Sequence, residues 1–437
     1  HDTWAEQAGA WTDYLARSSY LLQQGKFVAD VVYYYGEDNN ITALFGAKLP
    51  DVPSGYSFDF INAHALIHLL SVKDGRLVTP SGMSYRVLVL DSNARKMSLP
   101  VLRKIAQLVK GGAASSGVKP ERIASLTDDP QEFRRLVAEV WSASSSPQTA
   151  AGKKVYTGKN LTEVLRSLNI EPDFSYRRQP GGPELLYVHR RLTDGEVYWV
   201  NSRSHKFDTV EVSFRTGGRV PEIWHPESGR SEPASYRIED GRTTVRLNLA
   251  PQDAVFVVFR KVALQTTVTL PAPNEQVLAQ VEGPWTVAFQ PERGAPATAR
   301  FDRLVSFTEN KDTGIKYFSG TATYTKSIEV PGAALGPGAS LWLDLGAVGH
   351  LAEVIVNGRS VGVVWKQPFR VEVTGALKSG SNELAIKVTN LWVNRLIGDK
   401  QPGVTHKFTY TTFPYYKAGS PLQPSGLLGP VRLFASQ

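Results

Sequence analysis

Three acidic residues stand where their side chains could do acid–base chemistry. Glu37 and Asp38 follow an apolar run that ends at Tyr35, and Asp59 lies in the segment SGYSFDFIN. Two carboxylates that flank a glycosidic bond can hydrolyse it, one as general acid and the other as base or nucleophile. For these residues alone a simpler interpretation is favoured: Glu37 and Asp38 form a solvated turn, and Asp59 caps the start of a helix.

Aromatic side chains in the last third of the sequence offer a second chemistry, because sugars stack their C–H faces on rings. The rings that lie among Asn, Lys and Arg, and so predict a saccharide surface, are Trp365, Trp392, Tyr410, Tyr415 and Tyr416. The alternative is a position in a β-sandwich core, favoured for Trp285, Trp342 and Trp365.

Several other chemistries are excluded or disfavoured. The 437 residues include no cysteine, so a thiol nucleophile, a disulfide and a thiolate metal site are excluded. No G-x-S-x-G, Walker A, H-E-x-x-H or G-x-G-x-x-G motif occurs, and the eight histidines are interpreted as too scattered for a zinc site. Lys and Arg number 49 against 41 Asp and Glu, a bias too mild to predict nucleic-acid binding. No apolar run is long enough for a membrane span.

The first 25 residues predict an amphipathic helix with tryptophan on one face. Spacings of three and four relate Trp4, Ala8, Trp11, Leu15, Ser18 and Leu22. Thr3 and Glu6 match a capping box, and Gly25 matches a helix stop. Because such a face needs a large apolar partner, we interpret residues 1–25 as the last element of a domain that begins outside this sequence.

Strands and helices alternate over residues 26–175, which predicts a parallel, doubly wound sheet. The buried strands are expected at Val28–Tyr35 and Tyr85–Leu90, and GGAASSG at 111–117 is expected to be a loop that ends a helix. The predicted helices are Phe60–Leu70, Leu99–Lys110, Pro130–Trp141 and Asn160–Leu168. In such sheets the ligand crevice lies beyond the carboxyl ends of the strands.

From about residue 176 the pattern changes to period-two alternation. Residues 176–262 predict a small antiparallel β domain, with a hairpin turn at 193–195. The stretch rich in Thr, Pro and Ala that follows Lys261 predicts a linker. Residues 275–437 predict a β-sandwich, specifically a jelly roll.

Two groups of segments carry a family resemblance. Residues 1–38, with YYYGED at their end, and SGYSFDFIN resemble the middle-to-C-terminal part of the α-L-rhamnosidases of glycoside hydrolase family 106. The string NLWVNRLIGD at 390–399 adds to that resemblance. Ala352–Gly358 and Gly380–Leu384 are also similar to the sugar-binding jelly roll of family 2 glycosidases. The region 26–175 would then resemble the amidotransferase-like, flavodoxin-like domain that follows the barrel in family 42 β-galactosidases.

The resemblance implies a larger enzyme. The family's catalytic (β/α)₈ barrel precedes the stretch represented here and carries both catalytic carboxylates, so residues 1–25 would be the last barrel helix and the catalytic residues stay unknown. Inversion of the anomeric centre is implied, and a calcium ion is possible in the full-length enzyme. No metal ligand is assigned in this chain.

By the same resemblance six residues are candidates for substrate binding. His1, Asp2 and Trp4 would lie where the last barrel strand meets its helix, the face at which barrel active sites lie. The acidic residues of the next domain could reach the same site: Glu37, Asp38 and Asp59.

The resulting expectation is the C-terminal part of a bacterial glycoside hydrolase. Joined to its barrel, it would hydrolyse terminal α-L-rhamnosyl bonds in plant or pectic glycosides, in the periplasm or outside the cell. Its partners would be a rhamnosylated glycoside or oligosaccharide and the upstream barrel, with neither nucleic acid nor a membrane span. The alternatives are a non-catalytic carbohydrate-binding or scaffold protein, and a glycosidase for another sugar.

Overall fold

The chain folds into two compact units. The computed structural model describes residues 2–38, 50–141, 154–177, 180–272, 274–336 and 338–436. The mixed unit is Arg17–Leu270, and the sandwich unit combines His1–Ala16 with Pro271–Gln437. Within the described ranges, no helix has the length and apolar character needed to cross a bilayer.

The predicted N-terminal helix is present as α1 (Ala8–Gln23), preceded by a 3₁₀ turn at Ala5–Gln7. It stops before Gly25, where φ is +58° and a Cβ would lie 2.1 Å from the carbonyl oxygen of Arg191. Only glycine tolerates that approach.

The predicted capping box at Thr3 and Glu6 is wrong. Trp4, not Thr3, holds the N-cap position, and no side chain caps the turn there. The reason is that the chain enters the helix through a 3₁₀ turn, in which the amide of Ala5 donates to the carbonyl of Asp2. In the part of the chain that the structure describes, the buried Thr3 hydroxyl has no hydrogen-bond partner.

The apolar face of α1 finds some of its partners within this chain. In the mixed unit, Leu21 and Leu22 pack on a cluster formed by Val197, Phe256 and Val258. In the sandwich unit, Trp11 meets Trp365 edge-on at 5.3 Å between ring centroids. Trp11 and Leu15 nevertheless stay 41% exposed each.

A parallel sheet forms the first part of the mixed unit. The strands of residues 26–176 are β1 (Lys26–Phe27), β2 (Val31–Tyr34), β3 (Phe58–Ile61), β4 (Ser71–Lys73), β5 (Arg76–Val78), β6 (Ser84–Tyr85), β7 (Val87–Leu90), β8 (Lys96–Met97), β9 (Ala114–Gly117), β10 (Arg122–Ile123), β11 (Lys154–Tyr156) and β12 (Phe174–Tyr176). The parallel sheet has the strand order β11-β9-β7-β2-β3, with every neighbouring pair parallel. The helices are α2 (Ala63–Leu69), α3 (Leu99–Lys110), α4 (Pro130–Trp141) and α5 (Leu161–Ser167).

Two elements of this α/β region differ from the sequence prediction. The helix predicted from Phe60 is preceded by strand β3, and Asn62 caps it by accepting from the amide of Ala65. The predicted loop at 111–117 contains β9, which lies between β7 and β11. Its sequence, Ala-Ser-Ser-Gly, has low strand propensity, but its position inside the sheet, with Ala114, Ser115 and Ser116 buried, overrides that preference.

The strands that follow in the sequence form antiparallel sheets, as predicted for residues 176–262. The strands are β13 (Leu185–Arg191), β14 (Glu196–Ser202), β15 (Asp208–Phe214), β16 (Arg219–His225), β17 (Arg230–Pro233), β18 (Tyr236–Glu239), β19 (Arg242–Leu249), β20 (Ala254–Val262) and β21 (Thr267–Val268). Together with β1 and β12 they form two sheets, β1-β13-β14-β20-β16-β17 and β12-β15-β19-β18-β21, which share a core that includes Tyr198, Phe214 and Phe259. The predicted linker is thus interrupted by β21, because its Thr-Val pair completes a sheet edge beside β18.

The sandwich unit has two main sheets with one core between them. The strands of this unit are β22 (Glu275–Gln280), β23 (Trp285–Phe289), β24 (Thr298–Phe301), β25 (Thr321–Val330), β26 (Ser340–Asp344), β27 (Ala347–Gly349), β28 (Leu351–Val356), β29 (Arg359–Val364), β30 (Arg370–Glu372), β31 (Gly380–Thr389), β32 (Gly426–Gly429) and β33 (Arg432–Ser436). The two main sheets have the strand orders β22-β33-β26-β30 and β24-β23-β25-β31-β28-β29. Two short helices complete it, α6 (Thr313–Lys316) and α7 (Val393–Gly398). Alternate residues face the core, which includes Trp285, Tyr324, Leu343 and Ile386.

Candidate functional site

Glu37 and Asp38 lie at the carboxyl end of β2, where the sequence predicts them. The Glu37 carboxylate accepts from the backbone amide of Ser98, 2.6 Å away, and so holds the start of α3. Asp38 pairs with Lys96 at 3.1 Å, with both side chains largely exposed. These contacts fit the structural interpretation of the two residues, while their part in substrate binding stays a prediction.

Asp59 lies inside strand β3, so the prediction that it caps a helix is wrong. Its Oδ2 accepts from the Tyr85 hydroxyl at 2.9 Å, and its Oδ1 accepts from the amide of Phe60 at 3.0 Å. Glu37 and Asp59 are therefore engaged by different parts of the mixed unit. Substrate binding by Asp59 also stays a prediction.

The turn after β7 packs against the end of β2, where a parallel sheet usually offers its ligand crevice. A Cβ on Gly36 would lie 3.1 Å from the Cβ of Asn93, in that turn. Asp91 accepts from the Asn93 amide at 2.8 Å and from the Tyr33 hydroxyl at 2.6 Å. The chain's own residues thus fill space between these two strand ends.

A buried charge network in the mixed unit is a feature that the sequence reasoning missed. His189 lies 2.8 Å from Asp173 through Nδ1 and 2.8 Å from Glu196 through Nε2. The Tyr198 hydroxyl donates to Asp173 at 3.0 Å, and Arg215 lies 3.5 Å from the same carboxylate. The available signal was a polar residue, His189, at an inward-facing position of the predicted hairpin.

The network shifts the pKa of each of its members. Burial opposes the charged form of His189, but its hydrogen bonds to Asp173 and Glu196 outweigh burial and raise the pKa of the imidazole. Burial likewise opposes ionisation of Asp173 and Glu196, yet the hydrogen bond with His189 leaves the pKa of each carboxyl below its usual value. The arrangement holds the imidazole between two carboxylates, favours its charged form, and ties β13 to β14.

The sandwich unit contains a cleft of about 670 Å³. Its lining brings together the start of the chain and segments that are distant in sequence. The polar side chains that matter here are Asp2, Glu6, Gln290 and Arg293, and the aromatic ones are Trp392, Phe408 and Tyr410. Of the predicted saccharide-binding rings, Trp392 and Tyr410 line this cleft.

A buried ion pair supports the wall of the cleft. At the C-terminal end of helix α7, the Nε of Arg395 donates to Oδ1 of Asp399 at 3.0 Å, and both residues are buried. Oδ2 of Asp399 accepts from the amides of Phe408 and Thr409, at 3.0 and 2.8 Å, and from the Thr409 hydroxyl at 2.7 Å. Asp399 therefore fixes the backbone just before Tyr410.

The other predicted residues are spread over the unit. Asp2 lines the cleft, Trp4 is half-buried at the N-cap of the 3₁₀ turn, and His1 lies outside the described residues. The remaining predicted rings are placed as follows: Trp285 is in the core, Trp342 is half-buried on β26, Trp365 packs against Trp11 and Tyr14, and Tyr415 meets Tyr416 at 5.1 Å.

The histidines are less scattered than the sequence interpretation held. His64 and His68 lie one turn apart on α2, with ring centroids 4.6 Å apart, so that part of the interpretation is wrong. Among the described residues, no three His, Cys, Asp or Glu side chains are grouped so that they could hold a metal ion. The resemblance makes a calcium ion possible only in the full-length enzyme, and no chemical step is assigned to it.

Comparison with known proteins decides the family. A family model described as alpha-L-rhamnosidase, glycoside hydrolase 106, matches residues 1–238, more than half of the chain. The chain belongs to this α-L-rhamnosidase family. The rhamnosidase structure from Novosphingobium sp. PP1Y is 44% identical, with a TM-score of 0.93, over 99% of this chain and 41% of its own.

A second protein that is similar to this chain has a different description. It is a putative beta-glucuronidase from Formosa agariphila, 24% identical over 99% of this chain and 57% of its own length. The chain thus spans 57% of this curated relative and 41% of the rhamnosidase chain.

Proposed function

We propose that this chain is part of a glycoside hydrolase that cleaves terminal α-L-rhamnosyl bonds. The observation that carries the proposal is the match to the Novosphingobium rhamnosidase, which extends over 99% of the chain at 44% identity. Because only 41% of that rhamnosidase is matched, we assign the hydrolytic carboxylates to the part of the longer enzyme that this chain does not span. The chain would then supply support and binding surfaces for that part.

The exposed side chains of α1 support this division. Trp11 and Leu15 are large apolar residues, and each keeps 41% of its surface exposed. In a longer enzyme these side chains would gain stability by packing against a further domain. We propose a catalytic barrel as that domain, with α1 as its last helix.

The experiment compares the 437-residue chain with a longer protein that restores the segment present in the relatives. Each is incubated with p-nitrophenyl α-L-rhamnoside, and the release of p-nitrophenol is measured. We expect hydrolysis by the longer protein alone. Absence of hydrolysis by both would overturn the assignment, and hydrolysis by the shorter chain would overturn the assignment of the carboxylates.

A further inference from the structure

We propose that the cleft in the sandwich unit is a binding site for a neutral saccharide. The proposal deepens the proposed function and rests on it for the identity of the sugar, a terminal L-rhamnose or its neighbour in the glycoside. The cleft's size fits such a ligand, because its volume of about 670 Å³ lies in the ordinary range for small-molecule pockets.

Two aromatic side chains give the cleft surfaces on which a sugar ring can stack. The Arg293 guanidinium lies 4.5 Å from the ring centroid of Trp392, an interaction that holds the indole in place. Tyr410 also lines the cleft and is 90% exposed. An aromatic face is electron-rich and attracts the weakly positive C–H groups of a sugar ring.

The charged side chains of the lining favour a neutral ligand over an anionic one. Asp2 and Glu6 contribute two carboxylates, against the single guanidinium of Arg293 among the lining residues that the structure describes. Carboxylates accept hydrogen bonds strongly from sugar hydroxyls but repel the carboxylate of a uronic acid. The amide of Gln290 adds both a donor and an acceptor.

The aromatic wall is held in position before any ligand arrives. Asp399 accepts from the amides of Phe408 and Thr409, immediately before Tyr410. Arg395, which pairs with Asp399, lies 5.0 Å from the Phe408 ring centroid. A preorganised wall lowers the entropy cost of binding, so Asp399 acts as a positioning residue for this site.

The test is calorimetric titration of the 437-residue chain with methyl α-L-rhamnoside, and separately with D-glucuronate. Trp392→Ala and Tyr410→Ala are compared with the matched controls Trp342→Ala, a half-buried indole on β26, and Phe207→Ala, an exposed ring in the mixed unit. We expect the cleft variants to bind the rhamnoside about tenfold more weakly and the controls to bind like the parent.

Folding is checked for every variant by circular dichroism. Tyr410 is 90% exposed, so its loss removes no core packing, and Tyr410→Ala keeps the test valid if Trp392→Ala fails to fold. No heat of binding with the rhamnoside, or an equal loss in cleft and control variants, would overturn the proposal. Tighter binding of D-glucuronate would overturn its claim of a neutral ligand.

This test is separable from that of the proposed function. If the longer protein hydrolyses the rhamnoside but the cleft binds no saccharide, the proposed binding site is wrong and the proposed function is still supported. Binding at the cleft without hydrolysis by the longer protein would support the site and remove the function.

Discussion

Asp399, the residue that follows helix α7, accepts from Arg395 inside that helix, with 3.0 Å between Oδ1 and Nε. The other carboxylate oxygen of Asp399 holds the backbone that leads to Tyr410. The string NLWVNRLIGD, which carries much of the family resemblance, contains both members of this ion pair. Asp399 joins that string to the wall of the cleft through the amides of Phe408 and Thr409.

Asp399→Ala should destabilise the sandwich unit by about 3 kcal/mol, because it leaves the Arg395 charge buried without its partner. The matched control is Asp302→Ala, which breaks the exposed pair with Arg300 and should cost less than about 1 kcal/mol. Urea unfolding of each variant gives the two values. Equal costs would contradict the structural role of Asp399.

The buried His189 should make the stability of the mixed unit depend on pH. Its pKa is raised in the folded chain above the ordinary value of 6.5. Its stabilising contribution is therefore complete below the unfolded-state pKa, and it is lost as pH rises through the higher folded-state pKa. We expect the free energy of unfolding to fall over that range.

His189→Gln should flatten this part of the pH profile, and His406→Gln, at an exposed position, should leave it unchanged. His225, whose pKa is raised by Glu232 in spite of burial, should retain its own contribution in both variants. Urea unfolding at a series of pH values, with the His189 imidazole followed by NMR, measures the effect. If the free energy of unfolding of His189→Gln depended on pH in the same way as that of the parent, the assigned role of His189 would be wrong.

Glu37→Ala should cost about 1 kcal/mol of stability, because the amide of Ser98 loses its acceptor at the start of α3. Asp38→Ala should cost less, since its ion pair with Lys96 is largely exposed. Thermal unfolding compares the two variants. A fall in rhamnoside hydrolysis by the longer protein, with unchanged stability in Glu37→Ala, would favour the substrate-binding prediction over the structural one.

Trp11→Ser should affect the longer protein more than the 437-residue chain. In the chain it removes the edge-on contact with Trp365, a loss of about 1 kcal/mol. In the longer protein it would also remove the proposed packing against a barrel. Melting temperatures of both proteins, with Trp342→Ser as the control, measure the difference. The same decrease in both would count against the proposed barrel contact.

The sequence predicts an element well where its residue pattern favours the same secondary structure that its tertiary contacts require. Leu99–Lys110 and Pro130–Trp141 have the predicted bounds, because each combines an apolar stripe with a proline in its first turn. Strand β9 escaped prediction because Ala-Ser-Ser-Gly carries no strand signal of its own; its neighbours β7 and β11 impose the conformation.

The cleft could be predicted only in part. The local composition predicts Trp392 and Tyr410 as saccharide-binding residues, since aromatic rings among polar side chains suit a sugar. Their proximity to Glu6 and Gln290 in the cleft depends on tertiary contacts between segments that are distant in sequence, which no local period encodes. The partners of His189 are close in sequence, since Asp173 and Glu196 lie only 16 and 7 residues away. They could not be predicted because the pairing depends on where the side chains point in the folded unit.

The most direct test of this account is the ratio of kcat/KM of the longer protein for p-nitrophenyl α-L-rhamnoside to that for p-nitrophenyl β-D-glucuronide. We expect a preference for the rhamnoside of about 100-fold or more, since a site built for one sugar's polar groups rejects another strongly. A preference for the glucuronide, or turnover of neither substrate, would contradict it.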